Sequence, residues 1–203
     1  VATRRAATGR AADGDARALT LTERARRAQL IDITIDRVAE KGHAGTSLAG
    51  IAEAAGITKA AVLYHFATKE TLVKAAYDQV LGALATDVAA ATEAAGELAA
   101  PAAYVRSMIG HLHRHPRHTR MIVEAVSHGG AEHATQARWR PLAHLVDVAA
   151  RARGGAGVDS RTLAIIIGGA IDAIVTERLR DPGFDTAGAA DRLAELVEAA
   201  LAG

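Results

Sequence analysis

Between Thr46 and Leu72 the chain reads TSLAGIAEAAGITKAAVLYHFATKETL, and this stretch leaves few folds open. Leu48, Ile51, Ala52 and Ala55 recur at helical spacing, and Gly56 then supplies the backbone freedom of a sharp turn. Thr58 is placed to cap a second short helix whose inner side is Val62 and Phe66. Ala52, four residues before Gly56, lets the two helices cross closely, and Ile57 fills the corner between them. The pattern predicts a helix-turn-helix. The outward face of the second helix is then Thr58, Lys59, Ala60, Leu63, Tyr64 and His65. It carries hydroxyls, a cation and rings but no acid, which suits a polyanion that displays base edges. A helical hairpin packed on other helices would satisfy the A-x3-G spacing equally well, so the first half alone does not decide.

The full set of motifs is more specific. Gly45-Thr46-Ser47, Ile51-Ala52, Ala55-Gly56-Ile57-Thr58-Lys59, Leu63-Tyr64-His65-Phe66 and Lys69-Glu70-x-Leu72 resemble, in order and spacing, the N-terminal DNA-binding domain of the TetR family of transcriptional regulators. The resemblance is dense over about residues 22 to 75. It implies that residues 58–65 enter a major groove, that Thr46 and Ser47 anchor the backbone, and that Tyr64 and Lys69 meet phosphate while Lys59 also affects base preference. Ala60 stands where the family often has Gly, and Leu63 where it often has an aromatic residue, so the base preference transfers less readily than the fold.

Half of the residues are apolar and only 3% aromatic, so the core must be built from Ala, Leu, Ile and Val. Ala and Leu favour helices, and no alternating β-branched run is present. The expectation is an all-α protein of about nine helices: an N-terminal three-helix helix-turn-helix domain joined by a long helix to a C-terminal helical ligand-binding and dimerisation domain. With no cysteine, disulfides and thiolate metal sites are excluded. No apolar run has the length of a membrane span and the start lacks a signal-peptide core, so a soluble, cytoplasmic protein with no membrane partner is expected. Residues 1–30 hold seven arginines against three acids, an excess of four positive charges, which leaves the remainder at −3 within a whole-chain net charge of +1. That asymmetry places the electrostatic footprint for phosphates at one end.

In chain order, residues 1–20 read as a flexible basic arm, 21–75 as the DNA-binding domain and 76–203 as the ligand-binding and dimerisation domain. The first helix begins near Thr22, buries Ala28, Ile31, Ile35 and Val38, and stops at Gly42. Arg24 and Arg27 near its start are open to phosphate or to solvent. Thr68 caps a long helix that begins at Lys69 and runs through Tyr77, Val80, Leu81, Leu84 and Val88; Pro101 restarts a helix after the Gly96 region. Val105, Met108, Ile109 and Leu112 stripe the next, stopped by Pro116. A helix over about 117 to 127 ends at Gly129-Gly130, and another around Leu142, Leu145, Val146 and Ala149 ends at Gly154-Gly155, with Pro141 either starting it or kinking a longer helix that includes Trp139.

From Ser160 to about Arg180 the helix is apolar over a wide arc, including Ile165, Ile166 and Val175, and Gly168-Gly169 admits a close neighbour. After the Asp181-Pro182-Gly183 turn a final amphipathic helix follows. The resemblance implies that these two helices pair with their copies in a homodimer, through Leu163, Ile167, Ala170, Ile171, Ile174, Leu193, Leu196 and Val197. It also implies repression at an inverted-repeat operator, relieved by a small molecule that moves the helix starting at Lys69. A ligand-independent or architectural DNA-binding protein is the alternative.

For a pocket, Leu84, Tyr104, Met108, His111, Met121, Glu124, Trp139 and His144 suit a mid-sized, largely apolar effector held by one or two hydrogen bonds. His111, His115 and His118 resemble a zinc ligand set. Pro116, the lack of a carboxylate between them, and Arg114, Arg117 and Arg120 argue against it, so no metal is expected. No G-x-S-x-G, P-loop, G-x-G-x-x-G or H-E-x-x-H is present, so neither an enzyme nor a cofactor is expected.

Overall fold

A computed structural model describes residues 20–127, 131–154 and 158–202, and these form eight helices with no strand among them. The expected arm at 1–20 lies outside the described residues except for Thr20, as do Gly129-Gly130 and Gly155.

Thr20 starts α1 (Leu21–Gly45): its hydroxyl accepts from the Glu23 amide at 3.2 Å, and Glu23 returns a bond to the Thr20 amide at 2.8 Å. The buried line along α1 is Leu30, Thr34, Ile35 and Val38, so Ala28, expected inside, is exposed and Ile31 is half-buried. A polar Thr34 can occupy the line because its hydroxyl donates to the Leu30 carbonyl at 2.7 Å. Periodicity of large apolar residues alone therefore misplaced the face by about one residue. Gly42 leaves helical geometry at φ 70°, as expected of it.

Ser47 caps α2 (Leu48–Ala54), and Thr58 caps α3 (Lys59–His65). Between them Gly56 sits at φ 64°, a conformation that penalises any side chain, and the Ile57 amide closes the turn onto the Ala52 carbonyl at 3.0 Å. Leu30, Ile51, Ala52, Val62, Phe66 and Leu72 form one apolar cluster that fixes these helices to the start of α4. We refer to this unit as the head.

Thr68 and Thr71 cap α4 (Lys69–Arg114) reciprocally. Leu72, Ala76, Val80, Leu84 and Val88 recur every four residues on its inner side; Tyr77 is half-buried and Leu81 is exposed. Gly96, at φ 72°, breaks α4 into two limbs, so nine segments result when the limbs are counted separately. The break lies at Gly96 and Pro101 falls inside the second limb, not at its first position as expected. The reason is conformational: the left-handed glycine ends the first limb by itself.

His115 separates α4 from α5 (Pro116–Ser127). Then come α6 (Ala131–Ala152), which includes both Trp139 and Pro141, α7 (Ser160–Arg180) and α8 (Thr186–Ala202). The second limb of α4 packs with α6, α7 and α8 around a core of Leu84, Tyr104, Ile109, Leu142, Val146, Ile167, Ile171 and Val197, among others. This is the body. A third cluster of Ile35, Val38, Ala76, Val80 and Met121 joins α1, α4 and α5, and forms the joint between head and body.

Candidate nucleic-acid interface

The outward face of α3 is as expected. Thr58, Lys59, Ala60, Leu63 and Tyr64 are exposed and His65 half-exposed, with Tyr64 at 72% the most open ring of the head. Tyr64 and His65 stand edge to face at 5.1 Å between ring centres, and the Tyr64 hydroxyl donates to Glu23 at 3.0 Å. Thr58 does double work: its hydroxyl accepts from the Ala61 amide at 3.1 Å while its position opens the face. Ser47 is exposed and caps α2 through the Gly50 amide at 3.1 Å.

Two of the anchoring residues are placed differently. Thr46 is buried, its hydroxyl donating to the Gly42 carbonyl at 2.8 Å, so it closes the end of α1 and leaves Ser47 as the surface hydroxyl. Lys69 is half-buried and donates to the His43 carbonyl at 2.6 Å, which ties the start of α4 to the end of α1.

Sequence reasoning missed the staples that aim α3. Arg27 donates to the His65 carbonyl at the end of α3 and lies 4.0 Å over the Phe66 ring, so this arginine is structural. Arg37 donates to the Gly50 carbonyl at 3.2 Å. Both partners lie far along the chain, and no local spacing announces them. A cation at a helix C-terminus satisfies an orphan carbonyl and rigidifies the join.

Residues 30–76 match the family model for bacterial regulatory proteins of the tetR family. Over these residues the chain is similar to the DNA-binding part of that family. It is 38% identical over 84 residues to the HTH-type transcriptional regulator BetI of Burkholderia thailandensis, and 37% identical over 84 residues to BetI of Burkholderia mallei. Each match covers 41% of this chain and 42% of the relative, so the chain matches less than half the length of these curated relatives. Its fold is that of a TetR-like regulator from Rhodococcus sp. RHA1, at TM-score 0.72, 21% identity, 88% of this chain and 96% of that one. FadR of Bacillus subtilis, solved in complex with stearoyl-CoA, aligns at TM-score 0.70 and 17% identity over 85% of this chain and 98% of that one.

The residues expected at a dimer face divide into three sets. Ile167, Ile171 and Val197 are buried in the protomer's own core, Leu163, Ala170, Ile174 and Leu193 are half-buried, and Leu196 is exposed. The outward apolar side chains of α7 and α8 are Ile165, Ile166 and Leu196, the last two at 62% and 67% exposure. A helix apolar all round shows its stripe but not which side the protomer takes, so the sequence assigned core residues to the surface.

The expected pocket residues do not line one cavity. Leu84 and Tyr104 are packed in the body core, and Met121 lies in the joint. Glu124 accepts from the His43 amide at 2.9 Å, linking α5 to the end of α1. Trp139 is half-buried beneath the Arg161 guanidinium, and His144 is exposed. A cleft of about 510 Å³ lies instead between the limbs of α4, lined by Asp87, Ala90, Ala91, Ala103, Arg106, Ser107 and Arg114.

Beside that cleft the three histidines weighed as zinc ligands do converge. His111 is 2% exposed; its Nδ1 lies 2.8 Å from Asp87 and its Nε2 3.3 Å from His118 Nδ1. His115 stacks on both rings, at 4.5 Å from His111 and 4.9 Å from His118. Loss of solvent, reinforced by neighbouring imidazoles and arginines, pushes His115 and His118 below the ordinary imidazole range. The His111 hydrogen bond holds the Asp87 carboxyl below the usual carboxylate range.

Proposed function

We propose that the protein is a cytoplasmic, homodimeric, sequence-specific DNA-binding transcriptional regulator, acting as a repressor released from an inverted-repeat operator by a small molecule. The acid-free, exposed face of α3, held in place by Arg27, Arg37 and Lys69, carries the reading. Residues 58–65 enter the major groove, Ser47 and Tyr64 position the backbone, and Lys59 reads base edges. The functional boundary between DNA-binding and regulatory parts falls inside α4 near residue 75.

Dimerisation through α7 and α8 is supported by the outward Ile165, Ile166 and Leu196. Gly168 and Gly169 add to this. A Cβ built on either meets nothing within 4 Å, so two glycines that weaken the helix have no packing reason within the protomer. A second copy of α7 at close approach supplies one.

An effector in the body would need only about 1–3 kcal/mol of coupling to lower operator affinity some 5- to 150-fold. The open cleft between the limbs of α4 sets Ala90, Ala91 and Ala103 beside Asp87, Arg106 and Arg114, and both arginines pair with carboxylates, so it suits an organic molecule with an apolar body and a polar end. The solid packing of Leu84, Tyr104 and Met121 favours the second reading, a ligand-independent DNA-binding protein. A library of amphiphilic organic acids separates the two: operator release or a change in Trp139 fluorescence is expected, and the absence of both leaves the ligand-independent reading.

The DNA-binding reading is tested by selecting operator sequences from random duplexes. An inverted repeat is expected. Tyr64→Ala should weaken all sequences alike, whereas Lys59→Ala should also change the selected bases. Unchanged affinity in Tyr64→Ala and in Lys69→Ala together would sink the docking of α3.

A further inference from the structure

We propose that Asp87, His111 and His115 form a binding site for a divalent metal ion of the zinc class. Each of the three presents a ligand atom within 4.8 Å of the others'. Asp87 Oδ2 lies 2.8 Å from His111 Nδ1, close to the roughly 3.3 Å between two ligand atoms of one tetrahedral ion bound at about 2.0–2.1 Å. His118 Nδ1, 3.3 Å from His111 Nε2, holds the ring from its other edge. The set combines imidazole nitrogens with one carboxylate, which suits Zn(II), Co(II) or Ni(II) better than Mg(II) or Ca(II).

The local structure prepares the site. His111 is buried on the inner face of α4, and His118 at its Nε2 holds the ring so that Nδ1 faces the Asp87 carboxylate. A hydrogen bond at the other ring nitrogen fixes the tautomer of a metal-binding histidine. His115 is exposed and gives an ion a way in from solvent. Arg114 opposes the ion, since its guanidinium lies 3.2 Å from Asp87, but its side chain is 60% exposed and free to swing into water. The carboxylate missing from the local sequence comes from the other limb of α4, 24 residues upstream.

A bound ion would join the two limbs of α4 and fix His115, which leads into α5. From α5, Arg117 pairs with Asp36 and Glu124 bonds the His43 amide, so that link would bear on α1. An effect on operator affinity rests on the DNA-binding reading; the presence of the site does not.

The test is a Co(II) titration of the untagged full chain after treatment with a chelator, read by visible d–d absorption and by equilibrium dialysis. One Co(II) per chain is expected, with a tetrahedral spectrum abolished by Zn(II). His115→Ala removes an exposed ligand and should weaken binding at least about tenfold, and Asp87→Asn should also weaken it, by about 10- to 100-fold. Circular dichroism confirms that each variant is folded, and a variant that fails to fold is replaced by His118→Ala under the same criterion. No stoichiometric binding by the wild type, or wild-type affinity in the folded variants, overturns the site. Because no DNA enters the titration, its failure leaves the reading of the head untouched.

Discussion

The head and the body are both helical, but they are held together by different means. In the head, long polar side chains reach across the chain to backbone carbonyls: Arg27 to His65, Arg37 to Gly50 and Lys69 to His43. In the body one such bond, Arg153 to the Leu98 carbonyl at 3.0 Å, stands beside a much larger apolar contact through residues such as Ala102, Val146, Ala149, Ala164, Ala190 and Ala194, while the head's own apolar cluster is small. Directional bonds fix angles and positions, as the proposed docking of the head in a groove of constant shape would require. Apolar packing fixes volume and tolerates exchange among residues of similar size. The family match ends at residue 76, although the fold aligns over most of the chain.

The largest effect should come from testing which side of α7 belongs to the protomer. Ile167→Asp places an unpaired charge at a position 2% exposed and should destabilise the fold by on the order of 4 kcal/mol. The neighbouring Ile166→Asp, at 62% exposure, should leave the protomer folded and split the dimer. Thermal unfolding and sedimentation velocity on both variants give the answer. A folded Ile167→Asp monomer, or an Ile166→Asp dimer of wild-type affinity, would reverse the assignment.

These two neighbours also show what was legible in the sequence. The helix-turn-helix, its Thr58 and Thr68 caps, and the Gly56 turn are local, because each depends on residues within a few positions of one another. The apolar stripes were legible as helices, but the side each one buries is a tertiary fact. Ala28 was misplaced for this reason, and Ile167 was assigned to a partner when it is buried in the protomer. Arg27, Lys69 and Glu124 gained roles from contacts between distant segments, as did Asp87 beside His111. No spacing rule reaches across 24 to 81 residues.

A smaller effect is expected at the joint, where the two modes of packing meet. Glu124→Ala removes the carboxylate that accepts from the His43 amide and should cost about 1–3 kcal/mol. The side chain faces Gly42, where a built Cβ would lie 3.2 Å from Glu124 Oε2, so Gly42→Ala should disturb the same contact and also strain a φ of 70°. If α5 transmits the state of the body to α1, Glu124→Ala should change operator affinity although it lies off the DNA face. A lower melting temperature with unchanged affinity would make the contact purely structural.

The smallest expected effect separates stability from recognition within the head. Thr58 caps α3, which has only seven residues, and an uncapped short helix has few internal bonds to compensate. Thr58→Ala should cost about 1 kcal/mol, whereas Thr58→Ser keeps the hydroxyl that accepts from the Ala61 amide and should cost a few tenths at most. Thr58 is also exposed at the leading edge of the proposed DNA face. If its contribution is the cap alone, operator affinity should follow stability and Ser should restore both. If its methyl group meets a base, Ser should restore the melting temperature and leave the selected sequence altered. Chemical denaturation and operator selection on the same two variants distinguish these outcomes. Wild-type values for Thr58→Ala in both measurements would mean that the staples from Arg27 and Lys69 position α3 without its cap.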